Sequence, residues 1–291
     1  MDIRPDKTEQ TNKTDRPDSG ILQIKNKQDV EYLSFKELEK VSCINHLFTT
    51  RHGGVSEGIF SAMNLSFGRG DNPDAVHENF RRIAKVLDTR VENMVCSSQT
   101  HTTNIRKVSK EDGGKGIIRK MDYENVDGLI TREKGLVLAT FYADCVPLYI
   151  VDPVKEAIGL AHSGWRGTVG RIGREVIRKM QEEFGSCPKD LLVAIGPSIC
   201  RNCYEISEDV AMNFWNEFSE HRDILKKTGI DKYHLDLWNT NRYVFEDAGV
   251  PTEHIYVTDI CTCCNSEYLF SHRASQGKRG NLGAFLVLRN S

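Results

Sequence analysis

The chain has 291 residues, with a formal net charge of −2 at pH 7 and an isoelectric point near 6.5. This length is enough for a substantial hydrophobic core in one large domain or two small ones. The near-neutral charge argues against a protein that binds duplex nucleic acid, and no apolar run approaches the roughly 20 residues that span a bilayer.

The first twenty residues are strongly polar, with neither an apolar stretch nor an amphipathic Arg-rich pattern. We expect residues 1–20 to form a disordered tail, because such a composition cannot bury enough apolar surface to fold. Without a secretory signal, the nine cysteines are expected to be reduced thiols in a cytoplasmic protein rather than a disulfide framework.

Short apolar runs and one amphipathic segment make up the next part of the chain. Strands are predicted at residues 21–25, 30–35, 43–51 and 94–99. A helix is predicted to begin at Pro73, because apolar residues from Val76 to Leu87 recur at helical spacing. The charged, Gly-containing segment 110–120 is expected to be a surface loop.

The centre of the chain contains four apolar runs of strand length, at residues 126–131, 136–143, 148–151 and 157–161. They are too continuous for a sheet with one solvated face, so they should form the covered centre of the molecule. Further elements are predicted as a helix at 168–184, a strand at 191–195, helices at 208–218 and 237–248, and strands at 254–258 and 284–288. No repeat or linker divides the chain. We therefore predict one mixed α/β domain over residues 21–291.

Three residues at the ends of predicted strands are candidates for chemistry: His101, Cys145 and His162. One thiolate and two imidazoles can form an open zinc site with three protein ligands, which leaves a fourth position for water or substrate. The same residues could instead supply a cysteine nucleophile and a histidine base. Their spacing does not choose between these two chemistries.

Five further cysteines occur in two groups, Cys200 with Cys203, and Cys261 with Cys263 and Cys264. Grouped thiols can hold a structural zinc ion. The separation of the groups, 261 − 203 = 58 residues, is far longer than in a typical zinc ribbon. We therefore expect buried or loop thiols here rather than a metal site.

Arginines stand beside glycines in two loops, Arg51 before a Gly-Gly pair and Arg166 within the turn at 164–167. The backbone N–H groups and guanidinium groups of such loops can bind an anion, and the second loop opens a predicted helix. The basic segment 270–280, which contains Arg279, could close over an anionic substrate or form a solvated loop.

Eight short motifs occur in order between residues 30 and 290: Thr50-Arg51-x-Gly53-Gly54-Val55-Ser56, Asn64-Leu65, Gln99-x-His101, Val126-Asp127-Gly128, Ala143-Asp144-Cys145-x-Pro147, Ala161-His162-x-Gly164-Trp165-Arg166-Gly167, Gly196-Pro197-x-Ile199 and Cys261-Thr262. In this combination the chain resembles the YlmD/YfiH family, also known as the laccase-domain or polyphenol oxidase family, and in particular its YlmD-like bacterial branch. One departure is Thr102, where the family usually has glycine.

The resemblance implies an α+β fold, a layered sandwich of mixed β-sheets flanked by helices, and a zinc ion held by His101, Cys145 and His162. It also implies a purine nucleoside phosphorylase that acts on adenosine, inosine or guanosine with phosphate. Adenosine deamination and methylthioadenosine cleavage are further activities described in the family. The alternatives are a copper-loaded polyphenol oxidase, a hydrolase that edits peptidoglycan precursors, and a non-catalytic metal-binding protein.

The histidine content favours zinc over multicopper chemistry. A laccase requires many histidines, commonly in His-x-His pairs, and this chain has nine histidines and no His-x-His pair. A site with one cysteine and two histidines could still take up Cu²⁺ adventitiously, because affinity rises toward copper across the divalent series.

Substrate binding is assigned to Arg51, Asn64, Gln99, Arg166 and Arg279, all of which lie in these motifs or in the basic C-terminal segment. Arg51, with Arg166 or Arg279, is predicted to hold phosphate or ribose. The expected partners are thus a purine nucleoside and phosphate, with no nucleic acid or membrane, for a protein that is a monomer or a weak dimer.

Asp144 immediately precedes Cys145. With Arg51 and the three metal-ligand candidates, it is assigned to catalysis, as a proton shuttle or as a carboxylate that supports the metal ligand. An ordinary hydrogen-bonding role at the strand end is equally compatible with the sequence.

Overall fold

Two six-stranded β-sheets lie face to face at the centre of the molecule, in a computed structural model that describes residues 19–290. The strands in this range are β1 Leu22–Lys27, β2 Val30–Phe35, β3 Ile44–Thr49, β4 Met94–Cys96, β5 Ile105–Lys107, β6 Gly128–Thr131, β7 Val137–Tyr142, β8 Val146–Asp152, β9 Ala157–Ser163, β10 Leu192–Ile195, β11 Glu205–Ser207, β12 Leu225–Gly229, β13 Lys232–Leu235, β14 Ile255–Val257 and β15 Leu282–Leu288. The α-helices are α1 Pro73–Val86, α2 Trp165–Val169, α3 Ile172–Phe184, α4 Glu208–Glu217 and α5 Leu237–Asp247.

Both large sheets are mixed. The first has the order β1-β2-β3-β15-β7-β4, with a parallel pairing between β7 and β4 at one edge. The second has the order β14-β10-β8-β9-β6-β5, antiparallel in its centre and parallel at both edges. A small antiparallel sheet, β11-β13-β12, lies beside them.

Three buried apolar clusters hold the layers together. The first fills the space between the two large sheets, where Leu138 of β7 and Leu286 of β15 belong to the same cluster as Leu160 of β9. The second packs α3 and α5 on the outer face of the second sheet, and the third packs α1 on the outer face of the first. The predicted α+β sandwich of mixed sheets flanked by helices is therefore confirmed.

The strands next to the predicted site are fully buried. Every residue of β8 and β9 is buried, because one face contacts the first sheet and the other contacts the helices. This explains why their sequences are continuously apolar instead of alternating.

The sequence is less informative in two places. The helix predicted at 168–184 is two helices, because Arg171 adopts a left-handed conformation with φ of 55° and interrupts the helical hydrogen bonds. Its guanidinium is held there by Glu217 and Asp247. The small sheet was not predicted, since four of the five residues of β12 are exposed and give no apolar alternation.

Of the predicted tail at residues 1–20, residues 1–18 lie outside the described residues. Ser19 and Gly20 are described, and both donate hydrogen bonds to the carboxylate of Asp259. Between residues 19 and 290, the structure contains no helix with the length and apolar character needed to cross a membrane.

Candidate metal centre and adjoining cavity

The fold brings His101, Cys145 and His162, here called the metal triad, to one point. One potential ligand atom from each residue lies within 4.8 Å of the other two. Cys145 directly precedes β8 and His162 lies near the end of β9, and these strands pair so that Pro147 is opposite His162. His101 comes from the loop after β4, and its Nε2 lies 4.0 Å from the Cys145 Sγ.

Asp127 holds the loop that carries His101. Its carboxylate accepts hydrogen bonds from the backbone N–H groups of Thr100, His101 and Thr102, at 2.8–3.0 Å. These bonds support the left-handed backbone of His101, whose φ is 65°, a conformation that is uncommon for a residue with a side chain. Thr102 fits this loop although the family usually has glycine, because its hydroxyl also donates to Asp127.

The same carboxylate orients His162. The Nδ1–H of His162 donates to Asp127 Oδ1 over 2.8 Å, which leaves the other ring nitrogen free to bind a metal. A carboxylate that fixes the orientation of a histidine in this way is typical of metal sites. Although burial opposes it, the hydrogen bonds from His162 and from the backbone hold the pKa of Asp127 at about 2.

The residues of the triad shift one another's pKa values. Burial alone would raise the pKa of the Cys145 thiol, but the nearby imidazoles of His162 and His101 lower it to about 6. Conversely, burial would lower the pKa of His162, but the Cys145 thiolate and Asp127 raise it to about 9. Cys145 is therefore a thiolate at neutral pH, which is the form that binds a metal.

Gly164 allows the triad to pack this closely. A Cβ atom at position 164 would lie 2.7 Å from Cδ2 of His101 and 3.2 Å from Sγ of Cys145. Real Cβ atoms essentially never approach another atom as closely as the first of these distances. The glycine after β9 is therefore a packing requirement of the site.

A cavity of about 500 Å³ opens beside the triad and is called the site cavity here. Its walls include the rings of Phe67 and Phe141 and the side chain of Met121. The lining also includes two arginines, Arg69 and Arg279. Apolar walls with a few polar groups and a volume of this size are typical of a small-molecule site.

Arg279 is a buried cation at this cavity, with 8% of its surface exposed. Its guanidinium contacts neutral acceptors, namely Gly280 O, Asn281 Oδ1 and His272 Nδ1. Its buried Nε has no hydrogen-bond acceptor among the described residues. Burial, reinforced by the positive charge of Arg69, lowers the pKa of Arg279 to about 10. A bound anion would accept a hydrogen bond from Nε and would raise the pKa of Arg279.

Two of the predicted substrate-binding residues hold neighbouring loops. Gln99 lines the site cavity, but its side-chain amide donates to and accepts from the backbone of Phe141, both at 2.7 Å. Asn64 is fully buried and contacts Asp71 and the backbone of Ser66 and Asn281. Asn64 therefore shapes the loop that presents Arg69.

The other two predicted arginines point elsewhere. Arg51 donates to the carbonyl groups of Ser61 and Ser266 and lies over the ring of Phe270. It lines a neighbouring cavity of about 170 Å³, and Arg279 lies between this cavity and the site cavity. Arg166 is exposed and lies over the ring of the neighbouring Trp165. Neither arginine is part of the lining of the site cavity.

Asp144 is engaged within the protein through both carboxylate oxygens. Thr262 Oγ1 donates to Oδ1 and the backbone N–H of Arg273 donates to Oδ2, each over 2.7 Å. These contacts fix the residue next to Cys145 and favour the hydrogen-bonding role over proton transfer.

Sequence reasoning overlooked two residues of this site. Asp127 stands in the Val126-Asp127-Gly128 motif, immediately before β6. The available signal was a carboxylate next to a continuous apolar run. Arg69 lies in a short turn after Asn64, and no feature of the sequence separates it from an ordinary surface arginine.

Fold and site together define a class of protein. Residues 45–289 match a family described as multi-copper polyphenol oxidoreductase laccase. The structure resembles that of a YfiH protein from Bacillus licheniformis, with a TM-score of 0.85, 32% identity, and coverage of 91% of this chain and 99% of that one. The chain belongs to this laccase-domain family, also called the YlmD/YfiH family.

Particular members of the family are similar along most of their length. The purine nucleoside phosphorylase YlmD of Bacillus subtilis is 37% identical over 249 residues, which cover 84% of this chain and 88% of the relative. The protein of the same name from Geobacillus stearothermophilus is 40% identical over 246 residues, with coverage of 83% and 89%.

Proposed function

We propose that this chain is a purine nucleoside phosphorylase that depends on zinc held by His101, Cys145 and His162. The observation that carries the proposal is the site cavity, which places these three potential ligands and two guanidinium groups around one space of about 500 Å³. The relatives named purine nucleoside phosphorylase support it.

The triad fits zinc by its donor set. A thiolate and two imidazoles are ligands that zinc prefers, and three protein ligands leave a position open for substrate or water. When bound, the zinc ion would supply Lewis-acid polarisation of a substrate oxygen or nitrogen. Asp127 would keep His162 oriented, and Gly164 would let the ligands converge.

Arg279 and Arg69 are the groups we assign to phosphate. Both line the cavity, and the buried Arg279 lacks an anionic partner among its hydrogen-bonded neighbours. Charge-assisted hydrogen bonds from guanidinium to phosphate are strong and directional. Arg51, the sequence-based candidate, is already bonded to two carbonyl groups, so we propose Arg69 in its place.

The reaction requires few groups. A phosphate oxygen forms a bond to C1′ of the ribose while the bond from C1′ to the purine nitrogen breaks, and the electron pair and a proton go to the leaving base. The products are the free purine and ribose 1-phosphate. Phe67 and Phe141 would pack against the purine, and the two arginines would hold the phosphate close to C1′.

The finer substrate assignments remain part of this proposal. We propose adenosine, inosine and guanosine as substrates, with methylthioadenosine cleavage and adenosine deamination as additional activities. A monomer or weak dimer in the cytoplasm is also proposed, and size-exclusion chromatography with cell fractionation would test it.

Multicopper oxidase chemistry is the less favoured reading of the family description. Within residues 19–290, the groups of three or more potential metal ligands are the triad and one group of four cysteines. Neither contains the set of histidines that a trinuclear copper cluster requires, so copper uptake by the triad would be adventitious.

A nucleoside panel with and without phosphate tests the proposal. Protein purified without added metal is analysed for zinc and copper, and then incubated with adenosine, inosine, guanosine or methylthioadenosine. Chromatography should show free base and ribose 1-phosphate, or methylthioribose 1-phosphate from methylthioadenosine, only when phosphate is present. Failure to form base from any nucleoside, or full activity of Cys145→Ala, would overturn it. Base release without phosphate would indicate a hydrolase.

A further inference from the structure

We infer that Cys200, Cys203, Cys261 and Cys264, here called the cysteine cluster, form a second metal site that binds a structural zinc ion. Their four Sγ atoms all lie within 4.8 Å of one another. Buried or loop thiols are the expectation from the spacing of these cysteines, and the structure brings four of the five together. Cys263 is the one that stays outside the cluster.

The sulfur separations, from 3.4 Å up to at most 4.8 Å, bracket those of a tetrahedral zinc thiolate centre. A Zn–S bond of about 2.3 Å in a tetrahedron places the sulfur atoms about 3.8 Å apart. The Sγ atoms of Cys203 and Cys264 lie 3.4 Å apart. Four protein ligands would leave no position open for substrate, which is typical of a structural site.

Sheet pairing explains how segments so distant in sequence meet. The two segments follow β10 and β14, which are parallel neighbours at the edge of the second sheet. A further bridge joins Ser198 to Cys261, with the Thr262 N–H donating to the Ser198 carbonyl over 3.1 Å. Each segment then supplies a C-x-x-C pair, since Cys261 and Cys264 have the same spacing as Cys200 and Cys203.

Two backbone N–H groups are directed at one sulfur atom of the cluster, although burial raises the pKa of that thiol, Cys261. The N–H groups of Cys200 and Cys264 both donate to Sγ of Cys261, at 3.2 and 3.4 Å. Hydrogen bonds from N–H to sulfur favour the charged form of the thiol, which is the form that binds a metal. A thiol that only fills space in the core would not require two N–H donors at its sulfur atom.

A zinc ion here would clamp the loops behind the metal triad. Thr262, between two of the ligands, donates to Asp144, which precedes Cys145. The Arg273 guanidinium donates to the carbonyl of Cys203, and its backbone N–H donates to Asp144. The cluster would thereby fix the position of Asp144 without contacting the substrate, so its failure and the failure of the proposed function are separable.

Metal stoichiometry tests this inference. Protein purified without chelator should contain about two zinc ions per chain, one for each set of ligands. Cys203→Ser and Cys264→Ser should each reduce the content to about one, whereas the matched control Cys263→Ser should retain about two. His101→Ala should also reduce it to about one, through loss of the other site.

Cobalt substitution distinguishes the two sites spectroscopically. In His101→Ala, the remaining cobalt should show the strong thiolate-to-cobalt charge-transfer absorption and tetrahedral bands of a four-sulfur site. These bands should disappear in the double variant with Cys264→Ser. Iron instead of zinc at this position, found by metal analysis, would contradict the assignment.

A wild-type measurement keeps the inference testable if the serine variants do not fold. Titration of native protein with a mercurial reagent should release about two zinc ions per chain. Release of no zinc from His101→Ala in the same titration, or a non-reducing intact mass that shows disulfide bonds between these cysteines, would overturn it. A chelator should lower the melting temperature of wild type and of Cys263→Ser.

Discussion

At the residue scale, the candidate centre depends on a few side chains that other residues hold in unusual positions. His101 and Asp144 both have positive φ, and each is held by hydrogen bonds to residues distant in sequence. Asp127 accepts from the loop of His101 and from the ring of His162. Such orienting contacts are expected to affect metal affinity nearly as much as the ligands themselves.

We predict that Gly164→Ala weakens zinc binding at the triad about 10- to 100-fold, the range seen when residues that orient metal ligands are changed. The added Cβ would lie 2.7 Å from His101 and would displace its ring. Competition with a chromogenic chelator measures the affinity. Gly167→Ala is the matched control, because its Cβ would meet no atom closer than 3.5 Å. Equal affinities for the two variants would contradict the prediction.

We also predict that Arg279→Gln raises KM for phosphate about 10- to 100-fold, since a hydrogen bond to a charged group contributes about 1.5–3 kcal/mol. Initial rates at varied phosphate concentration provide the measurement. Arg166→Gln separates the two interpretations of the arginines: the sequence pattern predicts an effect, whereas its exposed position outside the site cavity predicts none. A normal phosphate KM in Arg279→Gln would exclude the assignment.

At the element scale, strand pairing determines which side chains meet. The β8–β9 pairing places Cys145 beside His162, and the parallel pairing of β10 with β14 brings the cysteine cluster together. Another buried polar contact links two strands of the first sheet: His46 on β3 accepts a hydrogen bond from the Phe35 N–H through Nε2, over 2.9 Å. This bond requires a neutral imidazole.

The buried His46 should make the fold sensitive to acid. Burial lowers its pKa from 6.5 to about 4, so the unfolded chain binds the proton more readily. The contribution of neutral His46 to the free energy of unfolding is therefore complete above about pH 6.5, and it is lost as the pH falls toward 4. Between about pH 7 and pH 5, the loss should be ~2 kcal/mol.

Urea unfolding of wild type and His46→Gln at both pH values measures this contribution. The glutamine carbonyl can still accept from Phe35, but it does not titrate in this range. The variant should therefore lose less stability on acidification than wild type. An equal loss in both proteins would assign the acid sensitivity to other groups.

At the scale of the whole molecule, stability comes from layers that bury both faces of the second sheet. Phe245 on α5 is completely buried, and a Cβ at Gly173 of α3 would lie only 2.9 Å from its ring. This close helix packing holds the layer that covers β8 and β9. The metal triad is at the end of those strands, so the helical layer stabilises the strands that carry the site but supplies no ligand to it.

We predict that Phe245→Ala reduces the free energy of unfolding by ~3–5 kcal/mol, because it leaves a cavity in a well-packed layer. Urea denaturation at neutral pH measures the change. Ile230→Ala, at a side chain that is 89% exposed, should change the free energy by no more than about 0.5 kcal/mol. A small effect of Phe245→Ala would mean that the helical layer contributes little to stability.

Much of this architecture was predictable because local patterns carry it. The continuous apolar runs of β8 and β9 indicated strands covered on both faces, and Pro73 marked the start of α1, where Asn72 accepts from the Asp74 N–H as the helix cap. The break before α3 was not predictable, since it depends on Glu217 and Asp247, which are distant in sequence.

The sequence by itself determined most strands of the two large sheets, the mixed α/β class and the three candidate ligands, because apolar periodicity and strand-end chemistry are local properties. Only the tertiary structure decided which distant groups meet. It placed Arg279 with Arg69 at the cavity, left Arg51 and Arg166 outside it, and gathered four cysteines from two separated segments. The physical reason is that strand order and register determine these distances, and neither is encoded by spacing along the chain.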